Sequence, residues 1–336
     1  MSVKRITSQD VAEKAGVSQS AVSRVFTPGA SVSKKMEARV RAAADELGYR
    51  PNVLARSLIT GRSRIIGLVV SYLDNQFYPD ALERFSRALQ ETGYHVLIFM
   101  SREGENLDQV IQEILDYQVD GIVTASVSMS DELAARCAAA GKPVVLFNRG
   151  QEDTHLSQVT AANRAGGRKV ADCLVKASHK RIAHISGWLG SMTGRDRAAG
   201  FAEGLAEAGL EPVAMQDGAY QWHRAAEAAR AIMAEAKPDA IFVGNDVMAF
   251  AVMDTLRFEL GLDVPGDVAV IGYDDVAMAS WPAYDLSTVR QPADAMVEAT
   301  VELLLEQIEA PGTPPRKIEI DGPLILRGST RPLEKT

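Results

Sequence analysis

Cysteine is scarce: the 336 residues hold two, Cys137 and Cys173, far apart in the chain. Such a pair offers neither a disulfide framework nor metal-ligand spacing, and both are expected as reduced thiols inside helical patterns. The five histidines, at 95, 155, 179, 184 and 223, show no metal spacing either. No run of eighteen apolar residues occurs, which excludes a membrane-spanning helix of the usual kind. The opening Met-Ser-Val-Lys-Arg-Ile lacks a signal peptide's apolar centre, so the cytoplasm is the expected location. Catalytic motifs are missing too. The glycine-rich stretch Ser186-Gly-Trp-Leu-Gly190 follows a strand pattern but fits neither the dinucleotide fingerprint nor a phosphate loop, no Lys-Ser/Thr follows it, and no Gly-x-Ser-x-Gly elbow exists. These gaps argue against an enzyme and imply no cofactor.

What is present is ordinary globular composition, 46% hydrophobic and 24% charged, at a length suited to two or three domains. The charge is unevenly spread. Residues 1–64 carry twelve Lys and Arg against five acids, a net +7, which leaves −15 for the rest of a chain whose total is −8. A basic head on an acidic body is the electrostatic footprint of a DNA-binding module attached to something else.

The head has the pattern for it. Thr7, with Asp10 three residues on, and Ser18 are N-cap signals for two short helices separated by Gly16-Val17, a helix-turn-helix. In the second helix Val22 and Val25 share one face, while Ser20 and Arg24 share another with Gln19 beside them. Amide, hydroxyl and guanidinium are the groups that hydrogen-bond base edges in a major groove. Ser33 caps a third helix, 34–47, stopped by Gly48, with Lys34 and Lys35 at its start suited to phosphate. Next comes Tyr49-Arg-Pro-Asn-Val-Leu-Ala-Arg-Ser-Leu58, where Pro51 or Asn52 can start a helix that Gly61 ends. So few residues do not hold a helix alone, and Leu54, Arg56 and Leu58 suit one that folds in a minor groove and wedges a base step.

Asp10 to Val25, Leu47-Gly-Tyr-Arg-Pro-Asn52 and Ala55-Arg-Ser-Leu58 together resemble the DNA-binding head and hinge of the lactose-repressor (LacI/GalR) family of bacterial transcription regulators. The three motifs stand in the family's order and spacing, and the likeness runs to about residue 330. By position it implies DNA contacts from Thr7, Ser18, Gln19, Ser20, Ser23, Arg24, Lys34, Asn52, Ala55 and Leu58, with Leu58 as the minor-groove lever. Thr27-Pro28 departs from the Asn that many members carry after the recognition helix.

From Arg64 onward, apolar runs at 65–71, 95–101, 121–125, 143–148, 181–186, 213–217, 240–244 and 268–272 alternate with helical patterns near 77–92, 105–117, 131–140, 163–177, 195–209, 224–236 and 246–260. That alternation predicts parallel sheet covered on both faces, as one large sheet or two smaller ones. The resemblance implies two: a small all-α helix-turn-helix head plus an α/β core of two doubly wound parallel-sheet subdomains, like periplasmic binding proteins. The implied bounds are 1–50 for the head, 51–63 for hinge and linker, and 64–336 for the core, with subdomain one near 64–161 and 291–322 and subdomain two near 162–290 and 323–330. Crossovers are then expected near 160–163, 289–292 and 321–324, and a last helix, 292–308, in the first subdomain.

Ligands of such sheets sit at the carboxyl ends of strands. Polar residues recur there: Asp74 to Tyr78, Asn148-Arg149, Gly187 to Arg197, Asn245-Asp246 and Tyr273-Asp-Asp275. Amides, carboxylates, guanidinium groups and an aromatic ring are what a polyhydroxylated ligand needs. The resemblance implies that Asn75, Phe77, Arg149, Arg197, Asn245 and Asp274 line an effector pocket. It also exposes a departure, Ala161-Ala162-Asn163 where many members have Asp-Asn, so a carboxylate is missing there. Asp274 and Asp275, as adjacent strand residues, should face opposite ways, which favours a structural and ligand-binding role over a catalytic pair. The expectation is a homodimeric repressor of double-stranded operator DNA, controlled by a sugar, sugar acid or sugar phosphate. The rivals are a solute-binding protein and a small-molecule enzyme on the same core.

Overall fold

The computed structural model describes residues 6–27, 30–50, 61–71, 73–101, 107–125, 129–152 and 154–332. They belong to two compact units, Met1–Ser63 and Arg64–Thr336. Pro28 and the expected hinge, with Pro51, Asn52, Ala55 and Leu58, lie outside the described residues.

In the first unit Thr7 opens α1 (Ser8–Ala15) with a reciprocal capping box to Asp10. Gly16, in the left-handed region at φ 61°, ends it, a conformation glycine adopts without a Cβ penalty. Ser18 caps α2 (Gln19–Val25) and Ser33 caps α3 (Lys34–Leu47), which Gly48 closes at φ 67°. Each such cap contributes about 1 kcal/mol. Val11, Ala12, Val22, Val25, Val40 and Ala44 meet as the core.

The second unit begins with β1 (Ile65–Val70), α4 (Phe77–Glu91), β2 (His95–Met100), α5 (Leu107–Asp116), β3 (Gly121–Ala125), α6 (Asp131–Ala139), β4 (Val144–Phe147) and β5 (Ser157–Ala161). It continues through α7 (Asn163–Lys176), β6 (Ile182–Ser186), α8 (Met192–Glu207), β7 (Ala214–Asp217), α9 (Trp222–Glu235), β8 (Ala240–Val243) and α10 (Asp246–Asp254). A π-helical turn, Thr255–Glu259, extends α10 before β9 (Ala269–Asp274), β10 (Ser287–Arg290), α11 (Ala293–Glu309), β11 (Lys317–Ile320) and β12 (Leu324–Ile325). The strands form two six-stranded sheets, ordered β11-β5-β4-β3-β1-β2 and β12-β10-β9-β8-β6-β7. Every pairing is parallel except β12 on β10. The chain passes between sheets three times, after β5, after β10 and after β11.

All eight apolar runs are strands, but four further strands are present. Two of them, Ser-Gln-Val-Thr-Ala in β5 and Ser-Thr-Val-Arg in β10, are largely polar yet mostly buried. Their hydroxyls are satisfied inside: Ser157 Oγ accepts from Gln307 Nε2 at 2.7 Å, and Ser287 Oγ lies 2.8 Å from Thr330 Oγ1. Tertiary hydrogen bonds, unseen in the local pattern, offset the desolvation. Helix α8 starts three residues before the expected 195, because Ser191 caps it through Gly194 N.

Helices α7 and α8 pack unusually close. A Cβ on Gly167 would lie 2.2 Å from Arg197 O, and one on Gly200 1.9 Å from Arg164 O. Glycine is therefore required for the approach that brings α8, and Arg197 with it, against the sheet.

Candidate functional site

Two polar surfaces stand out, one on each unit. On the first, α2 buries Ala21, Val22 and Val25 and leaves Gln19, Ser20, Ser23 and Arg24 exposed. Arg24 rests loosely, with Nε 3.4 Å from Ser20 O, and Gln19 Nε2 donates to Ser8 Oγ at 2.9 Å. Exposed contacts of this kind cost little to exchange for base edges. Lys34 and Lys35 are exposed at the start of α3. Thr7 and Ser18 spend their hydroxyls on helix caps, so their backbone position is fixed.

On the second unit, a polar chamber opens at the carboxyl ends of the strands, between the two sheets. Five residues expected from the sequence line it: Asn75, Arg149, Arg197, Asn245 and Asp274. Phe77 is not among the lining residues; its ring is buried, stacked on Phe147 with centroids 6.1 Å apart, and it supports the wall from behind. Tyr78, Asn148, Thr193, Tyr220 and Gln291 complete the lining. Of these, Tyr78, Asn148 and Thr193 lie in the strand-end loops already singled out. Gln291 follows β10, and Tyr220 follows the edge strand β7, whose polar end Gln216-Asp217 is not among the strand ends singled out; Asp217 Oδ1 accepts from Ala219 N at 2.7 Å.

Asp274 is the centre of the network. Asn75 Nδ2 donates to its Oδ2 and Gln291 Nε2 to its Oδ1, both at 2.7 Å. Arg197 Nη1 is 3.6 Å from Oδ1. The Asn75 bond joins the loop after β1 of one sheet to β9 of the other. Arg197 is 3% exposed; its Nε donates to Asn163 Oδ1 at 2.9 Å and its Nη1 to Gly244 O at 2.7 Å, and its guanidinium lies 3.6 Å above the Tyr273 ring. Burial opposes that charge, but Tyr220, Asp274 and Tyr273 around it hold the pKa above the ordinary value. Asp274 is itself raised by burial, with Arg197 and its two amide donors pulling the other way.

Behind it Asp246 is fully buried, and burial together with the charge of Asp274 pushes it up to about 7. Thr288 Oγ1 donates to it at 2.6 Å and Val276 N at 2.9 Å. Asp274 and Asp275 do separate, Asp275 pairing with Arg290 and Arg327, but not by extended strand geometry: their φ values are 126° and 58°. This backbone strain turns the first carboxylate into the chamber.

Three buried polar atoms on the lining have no protein partner: Asn148 Oδ1, Tyr220 Oη and Gln291 Oε1. Tyr220 also follows Ala219 in two consecutive left-handed residues, φ 50° and 59°, with its ring filling the space beside Gly187. Strain and unpaired buried groups are costly unless a ligand meets them.

Both halves of the chain match known families. Residues 7–52 match the bacterial regulatory proteins of the lacI family, and residues 171–330 match the periplasmic binding protein-like domain. The ribose operon repressor of Escherichia coli (strain K12) is 32% identical over 331 residues, covering 96% of this chain and 99% of the relative. A lac repressor dimer bound to operator and the anti-inducer ONPF superposes with a TM-score of 0.88 at 27% identity, over 97% of this chain and 99% of that one. A complex of the transcriptional regulator CelR with cellobiose gives 0.73 at 31% identity, over 97% and 100%. Among the described residues no helix is long and apolar enough to cross a membrane.

Proposed function

The chain belongs to the lacI family of bacterial regulatory proteins, and from that premise we propose that its chamber takes a polyhydroxylated small molecule which sets its affinity for operator DNA. It is a DNA-binding transcription regulator, and its reading face is Gln19, Ser20, Ser23 and Arg24, with Lys34 on the phosphate backbone. Two heads are needed to read a near-palindromic site, so the working unit is a homodimer in the cytoplasm. Exposed apolar side chains support pairing: Phe258 is 81% exposed, and Ile98 and Met100 line the outer edge strand β2.

The observation that carries the ligand reading is the set of unpartnered atoms, Asn148 Oδ1, Tyr220 Oη and Gln291 Oε1, around a chamber that already holds Arg149, Arg197 and Asp274. Two of the three are carbonyl oxygens, which require donors, and sugar hydroxyls supply them. The mechanism follows from where these groups lie. Asn75 and Arg149 belong to one sheet's loops, and Arg197 and Asp274 to the other's, so a ligand that bonds both sets biases the angle between the sheets. A differential affinity of about 1–3 kcal/mol for the two arrangements gives a 5- to 150-fold change at the DNA.

A thermal-shift screen of the full-length protein against monosaccharides and their derivatives tests this. A compound that raises the midpoint, and does so less in Asn148→Ala and Gln291→Ala, supports the reading. A compound that binds equally well to both variants places the effector outside the chamber and overturns it.

A further inference from the structure

Resting on that reading of the chamber, we infer that the effector is an anionic sugar whose acid group sits on Arg149. The body of this protein is acidic, at −15 over residues 65–336, yet the chamber lining reverses that sign. Its ionisable lining residues, apart from tyrosines, are Arg149, Arg197 and Asp274, a net +1. Arg197 and Asp274 answer each other, and both are held in place by Asn163, Gly244, Asn75 and Gln291. Arg149 is different. Among the described residues it has no carboxylate partner; its guanidinium lies over the face of Trp188, 5.7 Å from the guanidinium carbon to the ring, and its charge also acts on the Tyr220 phenol.

That contact orients the guanidinium and leaves its hydrogen-bonding edge free, because a ring face takes the cation without using its N–H donors. A half-buried guanidinium held this way, at a chamber that excludes much of the solvent, is a fork for a carboxylate or a phosphate. The loop that carries Trp188 is built for the position. Gly190 lies under the indole, where a Cβ would come within 2.3 Å of the ring, and Gly194 approaches Trp188 O, where a Cβ would come within 2.4 Å. Ser191 Oγ donates to the same carbonyl at 2.8 Å. The indole comes from the loop after β6 and Arg149 from the loop after β4, so the fork stands where the two sheets meet and is braced by both.

Isothermal titration of the full-length protein tests this with matched series of gluco, galacto and manno configuration: the neutral hexose, the hexuronate and the hexose 6-phosphate. A member carrying the acid group is expected to bind roughly 10- to 100-fold tighter than its neutral counterpart. The uronate and phosphate arms distinguish the two acid groups. In Arg149→Gln the gap should fall to within about 3-fold while the neutral hexose still binds, which also reports an intact fold; Arg149→Lys, which keeps the charge but not the fork, should retain only part of the preference. A neutral hexose that binds as tightly as its acids, or a gap that survives Arg149→Gln, overturns the inference and leaves the sugar-binding reading standing. Failure of all three series to bind sinks the sugar-binding reading itself, and the inference with it.

Discussion

Replacing Arg197 by methionine should destabilise the protein before it does anything subtle to regulation. The methionine stem fills most of the volume of the arginine stem, but it abandons Asn163 Oδ1 at 2.9 Å, Gly244 O at 2.7 Å and the carboxylate of Asp274 at 3.6 Å. Breaking a buried ion pair costs about 3–5 kcal/mol. The lower end applies here, because Asp274 keeps its bonds from Asn75 and Gln291 and can take up a proton. For a unit of this size about 3 kcal/mol lowers the unfolding midpoint by roughly 6–12 °C. The loss should depend on pH. Burial already raises the pKa of Asp274, and removing Arg197 raises it further, so the folded variant holds a proton that the unfolded chain releases. Its deficit against wild type must then grow as pH rises above the already raised pKa of wild-type Asp274. Thermal unfolding followed by circular dichroism at pH 5 and pH 8 measures both effects. A midpoint within about 2 °C of wild type, or a loss equal at the two pH values, would refute the assignment of Arg197 as the charge that holds this network together.

Three further outcomes follow from the same structure. Arg24→Ala should cost about 1–3 kcal/mol on the specific operator and much less on random duplex, whereas Lys34→Ala should weaken both alike and reduce the salt slope; equal losses for Arg24→Ala on both DNAs would contradict base reading. Asp246, raised by burial and by Asp274 to about 7, binds a proton in the folded chain that the unfolded chain has lost, so wild-type stability should fall from about pH 4 to pH 7 and then level; Asp246→Asn should flatten that slope, and an unchanged slope would locate the titration elsewhere. Gly200→Ala places a Cβ 1.9 Å from Arg164 O, a backbone atom that cannot step aside, and should destabilise by about 1–3 kcal/mol or more, against which a neutral result would count directly.

Most of the architecture was legible where local chemistry and tertiary structure agree. Thr7 with Asp10, Gly16 and Ser18 mark their helix ends because cap and turn are decided within a few residues. The central strands β1, β3, β4, β6, β8 and β9 announce themselves because each is buried by its own apolar side chains, whereas the edge strands β2 and β7 stay largely exposed. Strands β5 and β10 give no such signal, since Ser157 and Ser287 are satisfied by Gln307 and Thr330, groups 150 and 43 residues away. The chamber divides in the same way. Asn75, Arg149, Arg197, Asn245 and Asp274 sit where strand ends and the family resemblance both point. Tyr220 is hidden because its position depends on two left-handed residues, Ala219 and itself, that neither side chain advertises. Phe77 lies beside the chamber: Asn75 reaches it through Asp274, while two residues on, in the first turn of α4, Phe77 borders the adjoining cleft with Asp274 and Gln291 and stacks on Phe147.

If the chamber and the DNA-reading face are coupled, filling the one must change the affinity of the other. Titrating the full-length protein into fluorescent operator duplex and into random duplex, with and without the compound that shifts the unfolding midpoint, measures this. Operator-specific binding should change 5- to 150-fold when the compound is added, with the change lost in Asn148→Ala and Gln291→Ala. An operator affinity that stays the same with the chamber filled would rule the coupling out.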